Sequence, residues 1–184
     1  TFIGGGEESY GYLVGDFVRD KDAVISCAMI AEIAAWAADK GMSLYDLLLD
    51  IYLEYGLHKE SLISVVRKGK SGADEIQKIM KDFRSDPPKS LGNSKVILIK
   101  DYLSGVSKNI ENGLEESINL PSSNVLQFYT SDGGKVSVRP SGTEPKIKFY
   151  FGVVAPMASK ADFPKVDAEL DRKIASYVSE LGLD

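Results

Sequence analysis

Residues 125–151 read VLQFYTSDGGKVSVRPSGTEPKIKFYF, and this stretch decides the fold of the C-terminal part of the chain. Apolar and polar residues alternate over two short runs, 125–130 and 135–139, which the sequence Ser-Asp-Gly-Gly separates. Alternation on both sides of a glycine-containing turn predicts a β-hairpin with one buried face. A third run, 146–151, alternates in the same way and predicts another strand.

Helices are expected on both sides of these strands. Apolar residues recur at helical spacing near the C-terminus, at Val166, Leu170, Ile174, Tyr177 and Leu181. Upstream, the sequence predicts a strand at 61–66, a helix from about Ser71 and a strand at 96–102, whereas residues 103–123 show no regular pattern. Short connections between strands, followed by a helix, indicate an α+β fold in which an antiparallel sheet has helices on one face.

Residues 1–56 form a block of different character, in which a glycine-rich loop precedes two helices. The first helix is expected over 23–40, with Asp22 as its N-terminal cap. Ser43 and Asp46 have the spacing of a capping box at the start of the second helix. Apolar residues cover much of both helices, so we expect them to pack on a sheet that this chain contains only in part.

The segment 139–145, Arg-Pro-Ser-Gly-Thr-Glu-Pro, has the donors needed to bind a phosphate dianion. The Arg139 guanidinium matches two phosphate oxygens, and such charge-assisted hydrogen bonds contribute roughly 1.5–3 kcal/mol each. Ser141 and Thr143 add hydroxyl donors, and Gly142 can adopt a positive φ that lets backbone N–H groups converge on an anion. The same residues also suit an ordinary turn in which Arg139 pairs with a surface carboxylate, and chemistry alone leaves both interpretations open.

The overall charge shows that any bound anion must be held locally. The 184-residue chain has a formal net charge of −5, which argues against a nucleic-acid partner. Lys146 and Lys148, however, follow the segment 139–145 and raise the local positive potential. Cys27 is the single cysteine, which excludes an internal disulfide and predicts a reducing, cytoplasmic location. No apolar run reaches the roughly 20 residues that span a bilayer, so no membrane partner is expected.

A second candidate segment, 4–12, reads Gly-Gly-Gly-Glu-Glu-Ser-Tyr-Gly-Tyr and is predicted to be a loop that binds hydroxyl groups. The Glu7 carboxylate can accept hydrogen bonds from two neighbouring hydroxyls, as on a sugar ring, and Ser9 can both donate and accept. The glycines allow a ligand to approach the backbone closely. The alternative is that Glu7 is solvated or only complements a nearby helix N-terminus.

The remaining polar residues carry no catalytic or metal site in this reading. His58, the only histidine, is predicted to lie in a surface linker. Asp20 and Asp22 are better explained by helix capping than by a metal. The sequence has no Ser/His/Asp or Cys/His combination and no cluster with metal-ligand spacing, so no catalytic residue and no metal ligand is assigned.

Two stretches resemble the α-D-phosphohexomutase family, the phosphoglucomutases and phosphomannomutases. Residues 4–24, GGGEESYGYLVGDFVRDKDAV, contain the Gly-Glu-x-Ser sugar-binding loop, and residues 136–151, VSVRPSGTEPKIKFYF, are similar to the phosphate-binding loop of the last domain. The intervening segments also fit, so the resemblance covers the whole chain. It implies that Glu7 and Ser9 hold ring hydroxyls. It also implies that the phosphate that does not react is held by Arg139, Ser141, Gly142 and Thr143.

The resemblance further implies a domain organisation and a reaction. Residues 1–56 correspond to the C-terminal part of the α/β third domain, and residues 57–184 correspond to the fourth domain. The fold of that last domain is similar to the TATA-binding protein, a likeness that does not imply DNA binding. Family members interconvert sugar 1-phosphate and sugar 6-phosphate through a bisphosphate intermediate.

Two motifs of the family are absent from this sequence, namely the Thr-Ala-Ser-His-Asn-Pro type loop with the phosphorylated serine and the Asp-Gly-Asp-x-Asp-Arg type loop that holds magnesium. The resemblance therefore implies that Mg²⁺ binds the intact enzyme through residues outside this chain. It also implies a phosphosugar substrate and N-terminal domains of the same protein as partners, and we expect the chain by itself to be inactive. A stand-alone phospho-sugar or anion-binding module without catalysis is the alternative. Glucose, mannose and pentose phosphates all remain open as substrates.

Overall fold

The structure is a computed structural model, and it describes residues 2–7, 11–18, 20–67, 69–142 and 144–183. The chain divides into two compact units, Thr1–Glu54 and Tyr55–Asp184. Within these described ranges no helix is both long and apolar enough to cross a lipid bilayer.

The first unit consists of a two-stranded antiparallel hairpin followed by two helices. The strands are β1 (Gly4–Glu7) and β2 (Gly11–Val14), and the helices are α1 (Ala23–Asp39) and α2 (Leu44–Tyr55). The prediction of a loop over residues 4–12 was therefore wrong for Gly4–Glu7 and for residues 11–12, which lie in the two paired strands. The first three of these residues are glycines. Without side chains these glycines lack the alternation by which a strand is recognised in a sequence.

Both helices of this unit begin at the predicted caps. The Asp22 carboxylate accepts a hydrogen bond from the backbone N–H of Val24 at 2.8 Å. The capping box at α2 is confirmed in both directions. The Ser43 N–H donates to the Asp46 carboxylate at 2.9 Å, and the Asp46 N–H donates to the Ser43 hydroxyl at 3.1 Å. Such local hydrogen bonds satisfy the free N–H groups of the first helical turn.

The second unit is an antiparallel sheet covered by two long helices. Its elements in chain order are β3 (Leu57–Val66), α3 (Gly69–Ser85), β4 (Ser90–Leu91), β5 (Ser94–Asp101), β6 (Val106–Asn109), β7 (Glu115–Ser117), β8 (Leu126–Thr130), β9 (Lys135–Pro140), β10 (Lys146–Ala155) and α4 (Phe163–Glu180). The described strands form an eight-stranded sheet in the order β3-β10-β9-β8-β5-β6-β7, with β4 paired to β5. The predicted α+β fold with an antiparallel sheet is confirmed.

The core lies between this sheet and the helices. Successive residues of β10 alternate between buried and partly exposed, which places Ile147 and Phe149 on the face that packs against α3 and α4. The Phe83 ring of α3 contacts two buried strand rings, with centroids 5.8 Å from Phe128 and 6.2 Å from Phe149. Burying each such side chain stabilises the fold by roughly 1.5–3 kcal/mol. The opposite face of the sheet therefore carries the polar residues of the same strands.

Four strand segments of the second unit were not predicted, one of which is the two-residue β4. β3 begins at Leu57, so His58 lies in a strand opposite Val154, and the prediction of a linker there was wrong. β6 and β7 lie within residues 103–123, where the sequence shows no periodic pattern of apolar residues. All three residues of β7 are exposed, because it is an edge strand whose hydrogen bonds to β6 do not require an apolar face.

A charged hydrogen-bond network ties the β8–β9 turn to α4. The Asp132 carboxylate accepts hydrogen bonds from the hydroxyls of Ser94, at 2.5 Å, and Thr130, at 2.6 Å. The Lys173 ammonium group of α4 lies 2.7 Å from the same carboxylate. Burial raises the pKa of Asp132, but the hydrogen bonds from Lys173, Ser94 and Thr130 outweigh it and hold the pKa well below its usual 3.8. The carboxylate thus joins three separate segments of the second unit.

We predict that Asp132→Asn lowers the free energy of unfolding by about 1–2 kcal/mol. Hydrogen bonds to a charged group contribute roughly 1.5–3 kcal/mol. The expected loss is reduced from that range because 42% of the Asp132 side chain is exposed to solvent. Urea denaturation monitored by circular dichroism gives the value. Asp86→Asn, at an exposed carboxylate that follows α3, is the matched control and should change stability by less than about 0.5 kcal/mol. Equal effects of the two substitutions would contradict the role given to the network.

The same network predicts a dependence on pH. Because the pKa of Asp132 is lower in the folded chain than its ordinary value of 3.8, its contribution is present above that value and is lost as pH falls through the folded pKa. The difference in unfolding free energy between the wild type and Asp132→Asn should therefore be constant near neutral pH and shrink below about pH 4. Urea titrations at several pH values measure it. A difference that grows on acidification would exclude this ionisation as its cause.

Candidate phosphate-binding site

Arg139 lies at the end of β9, on the face of the sheet opposite the helices. Val136 and Val138 are fully buried on the helix side, and Arg139 has the opposite orientation and is exposed. No described residue forms an ion pair or a side-chain hydrogen bond with the Arg139 guanidinium. The ordinary-turn interpretation required a carboxylate partner for Arg139, and the described residues supply none.

Two lysines of β10 share the exposed face with Arg139. Lys148 is the direct cross-strand partner of Arg139, and Lys146 precedes it by two residues on the same side of the strand. Directly opposed residues of an antiparallel pair have Cβ atoms about 4.5–5.5 Å apart, and diagonal neighbours lie about 7–8 Å apart. Three cationic side chains are therefore concentrated at this end of the sheet. Like charges directly opposite each other destabilise a sheet unless an anion lies between them.

The connection between β9 and β10 is held by backbone hydrogen bonds on both sides. The Ser141 N–H donates to the carbonyl oxygen of Lys146 at 2.8 Å, which continues the hairpin by one residue. On the other side, the Arg67 N–H, just after β3, donates to the Pro145 carbonyl oxygen at 2.9 Å. The ends of the connection are thus fixed before any ligand binds, which lowers the entropy lost on binding.

Glu144 is the acidic residue within this connection. Its carboxylate lies 2.8 Å from the Lys146 ammonium group. The hydrogen bond from Lys146, together with the positive charges of Lys146 and Lys148, lowers the pKa of Glu144. The backbone N–H of Glu144 lies 3.3 Å from the Ser141 hydroxyl oxygen, a long hydrogen bond. The carboxylate therefore neutralises part of the positive charge at this end of the sheet.

Gly142 does not have the positive φ that the sequence suggested for it. A Cβ atom built on Gly142 would meet no described heavy atom within 4 Å. Neither the backbone conformation nor the packing of the described chain therefore requires glycine at this position. A ligand that approaches the backbone closely would supply such a requirement.

A groove of 360 Å³ lies on the helix side of the connection. Its walls are the start of α3, with Gly69, Ala73 and Gln77, and the connection itself, with Ser141 and Gly142. Arg139 is not among the lining residues. Glu144, whose carboxylate pairs with Lys146, is another of the lining residues.

Four of the six predicted binding residues lie in the part of the chain that the structure describes, and for Glu7 this concerns the backbone only. Arg139, Ser141 and Gly142 lie together at the β9–β10 connection, whereas Thr143 lies outside the described residues. Glu7 ends β1 and its backbone pairs with Gly11. Ser9 lies outside the described residues.

Two glycines of the β1–β2 hairpin have a packing role that the sequence did not suggest. A Cβ atom on Gly6 would lie 2.9 Å from the Tyr12 ring, and one on Gly11 would lie 2.6 Å from the Lys21 side chain. Side chains of the same unit therefore lie close to these two glycines. The hairpin is tied to the segment before α1 by a hydrogen bond from the Asp22 N–H to the Tyr12 carbonyl oxygen, at 3.0 Å.

Sequence reasoning did not recognise how closely Lys148 is associated with Arg139, or that Lys146 pairs with Glu144. The signal for Lys148 was present in the alternation of residues 146–151, which places both lysines on the polar face. The five residues between the two strands then determine which of them is opposite Arg139. The ion pair depends on the conformation of the connection and had no signal in the sequence.

A metal site was not predicted in this chain. In the described ranges no three His, Cys, Asp or Glu side chains come together in a way that could hold a metal ion. The described residues therefore do not fit a magnesium centre.

Comparison with protein families gives two adjacent matches. Residues 1–55 match the description "Phosphoglucomutase/phosphomannomutase, alpha/beta/alpha domain III". Residues 62–169 match "Phosphoglucomutase/phosphomannomutase, C-terminal domain".

The curated relatives that match are described as phosphoglucomutases. A phosphoglucomutase of Staphylococcus epidermidis is 39% identical over 170 residues, which is 89% of this chain and 31% of the relative. A phosphoglucomutase of Staphylococcus haemolyticus is 37% identical over 153 residues, which is 83% of this chain and 28% of the relative. The chain thus spans about a third of the length of the curated relatives it matches.

A solved structure shows the same fold. The open form of the exocytosis-sensitive phosphoprotein pp63/parafusin from Paramecium, described as a phosphoglucomutase, aligns with a TM-score of 0.53 at 18% identity. The alignment covers 95% of this chain and 30% of the Paramecium chain. Because the family match at residues 62–169 spans more than half of the sequence, the chain belongs to the phosphoglucomutase/phosphomannomutase family.

Proposed function

We propose that this chain is the sugar- and phosphate-binding part of a phosphohexomutase that interconverts sugar 1-phosphate and sugar 6-phosphate through a bisphosphate. The observation that carries the proposal is the arrangement of Arg139 directly opposite Lys148 on the exposed face of the sheet, without a described carboxylate paired to Arg139. A phosphate dianion would relieve the repulsion between these two cations and use the free guanidinium donors.

The residue roles follow from the chemistry of each group. Arg139 would bind two phosphate oxygens through its guanidinium, with Ser141 and Thr143 as hydroxyl donors. Gly142 would let the phosphate approach the backbone, since no described atom occupies the space beside it. Glu7 and Ser9 would form hydrogen bonds with the ring hydroxyls of the sugar.

These roles correspond to a domain assignment that we also propose. Residues 1–56 would be the C-terminal part of the third domain, and residues 57–184 would be the phosphate-binding fourth domain. The family matches at residues 1–55 and 62–169 support this division. Other domains of the same protein would be its partners, and the cytoplasmic location suggested by the single cysteine stays a prediction.

Binding the phosphate that does not react would position the reacting oxygen and help to exclude water. Magnesium, which would stabilise the charge of the transferred phosphoryl group, would be bound by residues outside this chain. The described residues offer no cluster for it, so we propose that the chain alone is inactive and contributes binding only.

We predict that Arg139→Ala weakens binding of glucose 1,6-bisphosphate by at least about tenfold. The substitution removes charge-assisted hydrogen bonds of roughly 1.5–3 kcal/mol, and 1.4 kcal/mol corresponds to a factor of ten in the dissociation constant. Isothermal titration calorimetry on the chain measures the effect. Arg172→Ala removes an equal charge from the exposed side of α4 and should leave binding within twofold of the wild type.

Equal binding by Arg139→Ala and the wild type would overturn the proposed phosphate site. If the wild-type chain does not bind the bisphosphate, the same two substitutions are made in the longer protein that contains this chain. There Arg139→Ala should lower kcat/KM by at least about tenfold and Arg172→Ala should not.

We predict that Gly142→Ala stabilises the fold but weakens ligand binding. Its Cβ atom meets no described neighbour, and alanine restricts the unfolded chain, so the free energy of unfolding should rise by about 0.4–1 kcal/mol. Binding of the bisphosphate should weaken at least threefold, because the added methyl group occupies the space proposed for the ligand. Urea denaturation and calorimetry measure the two quantities. Gly152→Ala, whose Cβ would be 3.9 Å from Lys135, is the matched control and should leave binding unchanged. A destabilised Gly142→Ala would show that the fold itself requires the glycine.

A further inference from the structure

We propose that Glu144 competes with the bound phosphate for Lys146, so that this carboxylate limits the affinity of the site and makes the phosphate easier to release. The inference rests on the proposed phosphate site and adds to it a residue that regulates the strength of binding without contacting the phosphate.

The geometry of the connection supports this role. Lys146 lies two residues before Lys148 in β10, on the same face as Lys148 and Arg139. From this position its ammonium group could reach an anion bound between the other two cations. In the structure that ammonium group is instead 2.8 Å from the Glu144 carboxylate. Only 27% of the Lys146 side chain is exposed, against 62% for Glu144. The partner that can move away into water is therefore the carboxylate.

The backbone keeps Glu144 next to Lys146 whether or not the carboxylate is paired. The Lys146 N–H donates to the carbonyl oxygen of Glu144 at 2.7 Å, and the Ser141 N–H donates to the carbonyl oxygen of Lys146 at 2.8 Å. Neither hydrogen bond involves the Glu144 side chain. Loss of its charge therefore need not change the path of the chain, and the carboxylate acts as an intramolecular anion at a high effective concentration.

Competition of this kind has a consequence for a reaction that proceeds through a bisphosphate. In the proposed reaction the same cations must bind one phosphate, release it and bind the phosphate at the other end of the sugar. When a phosphate leaves, Lys146 returns to Glu144 and is not left without a counter-charge. When a phosphate arrives, it must displace the Glu144 carboxylate from Lys146. The phosphate therefore binds more weakly, by the free energy of that ion pair. The site then exchanges its ligand faster than it would if Lys146 had no counter-charge.

The test measures binding of glucose 1-phosphate to the chain by calorimetry. Glu144→Gln keeps the size of the side chain and removes its charge, and we expect the dissociation constant to fall by about three- to tenfold. Lys146→Met should raise the dissociation constant, and in the Lys146→Met background the gain from Glu144→Gln should be at least threefold smaller. Glu144→Asp, which keeps the charge, should bind as the wild type does, within about twofold.

The controls distinguish competition by Glu144 from a purely structural role of Glu144, and from failure of the proposed phosphate site. Glu169→Gln removes an equal charge from the exposed side of α4 and should leave the dissociation constant within twofold of the wild type. If Glu144 only maintains the shape of the connection, Glu144→Gln weakens binding, and that result overturns the inference, as does unchanged binding. If Arg139→Ala binds as tightly as the wild type, the proposed phosphate site fails and the inference fails with it. If the wild-type chain does not bind glucose 1-phosphate, the same variants are compared by their KM for it in the longer protein that contains this chain, where the same ranking is expected and unchanged KM for Glu144→Gln overturns the inference.

Discussion

The pairing of β9 with β10 is the constraint on which the cationic site depends. In this register Phe149 is opposite Val138 and Lys148 is opposite Arg139. Val138 and Phe149 are buried on the helix side, so the residues beside them must emerge on the other face. A shift of one residue would reverse the faces and place the cations against the core, where an unpaired charge is very unfavourable. The burial of apolar side chains thus holds the cations together against their mutual repulsion.

The rest of the second unit supports this pair from both sides. On one side, β3 runs along the whole of β10, and the segment just after it contributes the hydrogen bond from Arg67 to Pro145. On the other side, the Asp132 carboxylate joins the β8–β9 turn to α4 through Lys173. A binding site carried by sheet strands is positioned more accurately than one carried by a free loop. The cations occupy strand positions, and only the hydroxyl and glycine residues belong to the connection.

Much of this fold could be predicted because its signals are local or periodic. The alternation in residues 125–151 predicts the hairpin strands, and Asp22 and Ser43 mark helix starts through hydrogen bonds to nearby backbone groups. β6 and β7 could not be predicted in this way, because an edge strand such as β7 is defined by its partner and not by its own pattern.

The candidate site could likewise be predicted only in part. The residue types of the segment 139–145 predict phosphate chemistry, since the donors can be read directly from the sequence. The φ of Gly142 and the ion pair between Glu144 and Lys146 depend on how the connection is held at its two ends, by Arg67 and by the hairpin. Those contacts join residues that are far apart in sequence or belong to an irregular turn, and no periodic signal describes them.

The position of β10 between two neighbouring strands has a consequence for the slow motions of the chain. Its residues Lys146–Ala155 pair with β3 along one edge and with β9 along much of the other. Amide protons in such a strand cannot exchange with solvent by fraying at an open edge and exchange only when the whole unit opens. Lys146 and Lys148 are therefore attached to backbone that stays closed through very many cycles of ligand arrival and departure. The side chains can reorganise around an anion while the strand beneath them behaves as a fixed support.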